Sequence, residues 1–216
     1  MTSVPKPLKF LRPHYPELQT LNDAWPASED KVTCTYYNLV FQYHNNFFKF
    51  LQSLFCDILS VLAMTYSDTQ PRGTLRYRLL SASLLPSSST LTEPGLWGHE
   101  YVRHLAAELG EEYTFRMDEE GVDPPAPAPD APSDDAEPPP AKPVEVIGSI
   151  EDLRAIAIQC ATFLLAHNAE PDAVDLLEEL EMVQRITELV DKDTYVRVTQ
   201  YMVRYVAVTN FTGICI

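Results

Sequence analysis

At 216 residues the chain has room for one ordinary domain or two small ones, and an apolar fraction of 45% can build a core. A formal charge of −15 excludes nonspecific nucleic-acid binding, because there is no basic excess to displace counterions, and it disfavours adsorption to anionic membranes. Much of that charge is local: residues 118–141 hold eight acidic side chains and no basic one, which leaves about −7 elsewhere.

Residues 1–16 are punctuated by Pro5, Pro7, Pro13 and Pro16 and are expected to be extended. The same prolines break any amphipathic transit helix built on Lys6, Lys9 and Arg12, and no apolar signal core follows. Pro16 suits a first helical residue, so a short helix is expected over 17–24, then a loop over 26–31. Phe55, Ile58, Leu59, Leu62 and Ala63 or Tyr66 recur at helical spacing and predict a buried helix over 54–66. The preceding stretch 32–52 is crowded with Tyr, Phe and Asn and shows no clean period, so helix and strand both stay open there. Residues 39–64 are the most apolar of the chain. Gln42, His44, Asn45, Asn46, Lys49, Gln52 and Asp57 interrupt them, and they fail as a membrane span.

A turn at 70–73 leads into a helix over 74–83 with Leu75, Leu79 and Ala82 on one face and Arg76 and Arg78 outside. After a Ser/Thr loop, residues 95–113 read as an amphipathic helix starting near Leu96 or Trp97. Trp97, Tyr101, Leu105 and Leu109 recur every four residues, Val102 and Ala106 widen the stripe, and Glu100, Arg103, Glu108 and Glu111 fall largely opposite. Burial of a stripe led by Trp is worth roughly 2–3 kcal/mol for that side chain alone, so other helices must cover it. Residues 118–148 hold nine of the 18 prolines together with the acidic cluster and are expected to be a disordered linker. Ser149 with Asp152 signals a helix start, and Leu153, Ile156, Ala157, Cys160, Phe163 and Leu164 form the stripe of the helix that follows. Asn168 closes it and Pro171 opens the next, with Val174, Leu177 and Leu180 or Glu181 along it. A short helix over 182–190 and another over 193–206, with Tyr195, Val198, Met202 and Tyr205 stacked, complete the series. Short helices with short joins imply an all-α fold of antiparallel pairs, leaning toward an alpha-solenoid although no strict repeat is visible.

No catalytic, cofactor-binding or metal site emerges. His99-Glu100 and His104 imitate a zinc motif, but a five-residue step leaves the imidazoles about 140° apart around a helix, and Arg103 occupies the position the motif needs. None of the seven glycines builds a phosphate loop or a nucleophile elbow. Glu178, Glu179 and Glu181 read as the outer face of a helix rather than a catalytic pair, and Arg76 and Arg78, beside Tyr77, as a solvated face rather than a phosphate site. Cys34, Cys56, Cys160 and Cys215 lie far apart without a CxxC and are expected to be free thiols in a reducing compartment, cytoplasm or nucleus.

Several stretches carry a resemblance: VPKPLKFLRPHYP (4–16), LFCDILSVLAMTYSD (54–68), TLRYRLL (74–80), WGHEYVRHLAAELGEEY (97–113), AHNAEPDAVDLLEELE (166–181) and DKDTYVRVTQYMV (191–203). Together they resemble the N-terminal region of a fungal-like large non-ATPase scaffold subunit of the 26S proteasome regulatory particle base, the smaller of its two proteasome/cyclosome-repeat subunits. The resemblance implies an all-helical N-terminal arm, no enzymatic activity, and assembly with regulatory-particle ATPases and neighbouring subunits. Ubiquitin and shuttle factors are implied to bind the family's toroid of repeats, which lies past the region matched here, so no binding residue is carried over. The family runs almost directly from the Lys31 region into SLFCDIL. Residues 32–52 therefore read as a retained intron translated in frame, since Val codons begin GT and Gln can be CAG, or alternatively as a lineage-specific insertion. The tail 206–216 also departs from the family, so the chain is expected to be a fragment ending before the toroid. The domain reading is thus 1–117, a linker at 118–148, and a second helical segment at 149–216. The competing reading is an independent acidic helical adaptor or chaperone-like protein. A helical enzyme using Glu178, Glu181 or His104 comes last, because no constellation converges.

Overall fold

The computed structural model describes residues 6–24, 38–84, 93–121 and 146–212, with side chains described over 8–24, 49–84, 93–118 and 146–204. Every regular element among the described residues is a helix. Residues 32–37 of the expected insertion, 122–145 of the expected linker and 213–216 of the tail lie outside the described residues. The chain divides into two compact units, residues 1–93 with 141–148, and residues 94–140 with 149–216.

In the first unit the expected extended start is replaced by two 3-10 turns, Lys6–Phe10 and Arg12–His14, running into α1 (Tyr15–Asp23). The prolines explain both readings: a fixed φ near −65° excludes a long helix interior but fits the first turn of a short one, where no N–H is missed. The turns deliver Tyr15, which is fully buried, onto the ring of Tyr66 at 4.7 Å and edge-on to Tyr77 at 6.5 Å.

α2 (Asn38–Ala63) is one helix of 26 residues, so the ambiguous 38–52 stretch is helical. Val40, Tyr43, Phe47 and Leu51 do recur at three- and four-residue steps, and the interleaved Phe41, Phe48 and Phe50 hide the period. A 3-10 turn at Met64–Tyr66 leads to α3 (Gly73–Leu84), which packs on α2. The expected apolar face is present in Leu59, Leu62, Leu75 and Leu79, all buried, whereas Phe55 and Ile58 are half-buried. Arg78 is a correction. It was expected in solvent but is 1% exposed, and its guanidinium donates to Asp57 Oδ1 at 3.1 Å.

In the second unit a 3-10 turn at Pro94–Trp97 precedes α4 (His99–Gly121). The helix does not begin at Leu96 or Trp97 because Gly98 takes φ +93°, a conformation that breaks the register and that other residues rarely adopt. Trp97 is therefore only half-buried and does not lead the stripe, while Tyr101, Val102, Leu105, Leu109 and Tyr113 form the core of α4. Glu108, expected opposite that stripe, is buried too, with His104 Nε2 at 3.0 Å from its carboxylate.

α5 (Ile150–Ala166) begins with a complete capping box. The Asp152 N–H donates to the Ser149 hydroxyl, and the Ser149 N–H donates back to the Asp152 carboxylate at 2.8 Å. Its inner face is Leu153, Ile156, Ala157, Cys160 and Leu164 as expected, with Phe163 half-buried. Asn168 at φ +58° ends it and Pro171 sits in the first turn of α6 (Glu170–Glu179). A 3-10 turn at Val183–Arg185, α7 (Ile186–Leu189) and α8 (Thr194–Thr212) follow. α4 packs on α5 and α6, α5 on α6, and α6 on α8, so helices stack as antiparallel neighbours in the solenoid manner. No helix among the described residues is long and apolar enough to cross a membrane.

Candidate interaction surface

The residues singled out for chemistry are dispersed. His104 is tied to Glu108, while His99 lies beside the Phe163 ring at 6.1 Å between centroids. Among the described residues no group of three His, Cys, Asp or Glu side chains is placed to hold a metal ion. Arg76 spreads over the Tyr77 ring at 5.4 Å, and Arg78 is committed to Asp57 inside the core, so the two arginines do not share a face. Cys56 and Cys160 are buried, and Cys34 and Cys215 lie outside the described residues. Burial, helped by the neighbouring Asp57 charge, pushes the Cys56 thiol up to about 12, so at neutral pH it stays protonated and is a poor nucleophile.

The glutamates of α6 also separate. Glu181 lies past the helix end at φ +56° and accepts from the Tyr113 hydroxyl at 3.4 Å. Glu179 belongs to a groove between α4 and α6 of about 340 Å³, floored by Ala106, Ala107 and Leu176. Gly110 leaves room for the Glu179 carboxylate, which a Cβ there would strike. At the groove's other end Arg103 is paired with Asp172 at 2.6 Å. Partial burial first, then the charges of Asp175, Glu111 and Glu178, raise the Glu179 carboxyl above its usual range. Asp175 in turn accepts from the Tyr201 hydroxyl at 2.7 Å, which ties α6 to α8 alongside the Arg197–Glu170 pair.

α8 presents a second surface that sequence reasoning missed. Of Tyr195, Val198, Met202 and Tyr205, expected to stack at helical spacing, only Val198 is buried; Tyr195 is 58% exposed, Met202 is half-buried, and the Tyr205 side chain lies outside those described. Tyr195, Val196, Thr199 and Val203 line a shallow apolar depression of about 380 Å³. The available signal was Val196 and Val203, apolar residues seven apart on a face distinct from that of Val198. The two surfaces differ in chemistry: the groove between α4 and α6 is edged by Arg103, Asp172, Asp175 and Glu179, and the depression on α8 is apolar.

The RPN1 N-terminal domain profile matches residues 1–212. The chain belongs to the RPN1 N-terminal domain family. It is 38% identical over 211 residues to the 26S proteasome regulatory subunit rpn-1 of Neurospora crassa, a match covering 98% of this chain and 17% of that protein. Against the 26S proteasome regulatory subunit rpn1 of Schizosaccharomyces pombe the figures are 37% over 211 residues, 98% and 17%. Against the 26S proteasome non-ATPase regulatory subunit 2 homolog A of Arabidopsis thaliana they are 36% over 202 residues, 94% and 16%. The chain therefore spans about one sixth of the length of the curated relatives it matches. Membership of the RPN1 N-terminal domain family agrees with the resemblance carried by WGHEYVRHLA and AHNAEPDAVDLL, and these relatives are named for regulation rather than for a reaction.

Proposed function

We propose that this chain is a non-catalytic scaffold segment of the 26S proteasome regulatory particle, which supports ubiquitin-dependent protein degradation through helix-mediated contacts with neighbouring subunits. The observation that carries the reading is the family match over residues 1–212, joined to relatives named as regulatory subunits of the 26S proteasome. The dispersal of His104, Glu179 and Glu181 into separate local contacts supports a binding rather than a catalytic role. The partners on this reading are the regulatory-particle ATPases and their neighbours, in cytoplasm and nucleus. On this reading ubiquitin and shuttle factors engage the toroid of repeats that the resemblance places in the family.

The test is affinity purification of the chain at its natural level, followed by mass spectrometry. Recovery of regulatory-particle ATPases in stoichiometric amounts is the expected result. A stable monomer that carries other partners and no proteasome subunit would overturn the reading in favour of an independent acidic adaptor.

A further inference from the structure

The seam between α2 and α3 is polar at its centre. Ser53 and Ser81 place their hydroxyls 2.9 Å apart, Arg78 donates to Asp57 at 3.1 Å, and the Ser60 hydroxyl donates to the Thr74 carbonyl at 2.7 Å. Ser81 also hydrogen-bonds the Asp57 carboxylate, joining two of the rungs. All six residues are buried, none more than 2% exposed. On α2 the rungs fall at steps of four and three (53, 57, 60), and on α3 at steps of four and three (74, 78, 81), which is the spacing of a packing seam. As numbers rise on one helix they fall on the other, so the ladder belongs to an antiparallel pair in a single register.

The buried apolar residues of the two helices include Leu59 and Leu62 on α2 and Leu75 and Leu79 on α3, beside Cys56, Val61, Ala63 and Tyr77, and leucine against leucine does not distinguish one turn from the next. A slip that keeps the same faces together must be three or four residues, about one turn or 5.4 Å. Such a slip sets Arg78 against Ser53 or Leu54 in one direction and Ser60 or Val61 in the other, each without a carboxylate. A buried guanidinium would then lose its counter-charge, the most costly error the seam can make.

We infer that this ladder of Ser53–Ser81, Asp57–Arg78 and Ser60–Thr74 fixes the register of the α2/α3 hairpin. The ladder is a conformational lock that the proposed scaffold role does not require. It also confines the specification of pairing to residue 53 onward. The register sets Leu84, the last residue of α3, opposite the turn at 50–51, so the first three turns of α2 extend past α3. Additional helix N-terminal to Ser53 is thereby accommodated without disturbing how α3 is read.

The experiment places spin labels at Leu54→Cys and Ser83→Cys, two exposed positions on the paired helices, in the full chain with its four native cysteines replaced by alanine. Distances are measured by pulsed electron resonance with the ladder intact and with Asp57→Leu/Arg78→Met. One distance with the ladder intact, and a second population displaced by about one helical turn, roughly 5 Å, in the apolar variant, is the expected result. A single native distance in the apolar variant would overturn the inference. Should that variant fail to fold, Asp57→Asn/Arg78→Gln, which keeps polarity but not charge, is read by the same two outcomes.

Discussion

The seam of α2 with α3 and the seam of α4 with α5 and α6 solve the same packing problem with different chemistry. The first is centred on buried serines, an aspartate and an arginine; the second on Leu105, Leu109, Leu153, Leu164, Ala173 and Leu177, with its ion pair Arg103–Asp172 out at an exposed edge. The joins differ as well. α5 and α6 are separated by three residues, with Asn168 at φ +58° turning the chain, and a join that short leaves few registers to choose between. α2 and α3 are separated by residues 64–72, a join long enough to permit a slip. Where the loop does not dictate the pairing, side chains that match in only one register must do so.

The polar seam is most vulnerable at Arg78. Arg78→Ala leaves the Asp57 carboxylate buried without its guanidinium and is expected to cost about 3–5 kcal/mol, read as lost hydrogen-exchange protection of α2 and α3 amides. Burial already holds the Asp57 carboxyl above its usual range, against the opposing pull of Arg78 and Ser81. The sign follows. A folded-state carboxyl that binds its proton more tightly than in the unfolded chain adds stability at low pH, and that stability is lost as pH rises through the raised value. The Arg78→Ala penalty is therefore expected to be largest at neutral pH and to shrink on acidification, as Asp57 becomes neutral. Asp57→Leu/Arg78→Met should recover most of the lost stability, because two apolar side chains of similar volume need no partners.

In the second unit the equivalent change is Leu105→Ala, which removes a fully buried side chain from α4. The expected loss is about 2–5 kcal/mol, set by how far the cavity collapses, and urea midpoints should show no special pH dependence, because no charge is uncovered. Gly95→Ala tests the same apolar region from its edge. A methyl at that position would strike the Phe163 ring of α5, and moving an aromatic ring is expected to cost about 1–3 kcal/mol by thermal unfolding. Retention of the wild-type midpoint would show that Phe163, which is half-buried and stacked on His167 at 3.9 Å, swings outward freely.

Legibility followed the same division. The second unit was largely readable because its signals are local: Ser149 and Asp152 three residues apart, Asn168 closing α5, Pro171 opening α6, and a stripe at helical spacing between them. The polar seam was not, because each rung joins residues 14 to 28 positions apart and periodicity carries no information on such pairs. One sign of it was present. Asp57 stands alone in the apolar run LFCDILSVLA, and a lone carboxylate on a buried helix requires a cation from another element. Arg78 went unrecognised as that cation because a basic residue flanking an apolar stripe usually faces water. Trp97 misled for a neighbouring reason: its four-residue step to Tyr101 holds only if the helix is continuous, and Gly98 at φ +93° interrupts it. The candidate surfaces were least visible, since whether Tyr195 lies inward or outward on α8 depends on which side α6 approaches.

The smallest expected effect lies at the start of α5, where local signals place the helix. Ser149→Ala removes the hydroxyl that accepts the Asp152 N–H and should cost about 1 kcal/mol. The N–H and hydroxyl of Ser149 both donate to the Asp152 carboxylate and hold its carboxyl below the usual range. With the pKa depressed in the folded state, this contribution is present above the unfolded value and is lost as pH falls through the carboxylate range. Wild-type stability is therefore expected to decline on acidification with a component that Ser149→Ala weakens and Asp152→Asn abolishes. The change opposes the trend of Arg78→Ala, whose deficit narrows over the same interval. Parallel urea titrations of the two variants between neutral and acid pH would separate them. If Ser149→Ala leaves both the midpoint and its pH slope unchanged, α5 is positioned by its apolar face alone and the cap is incidental.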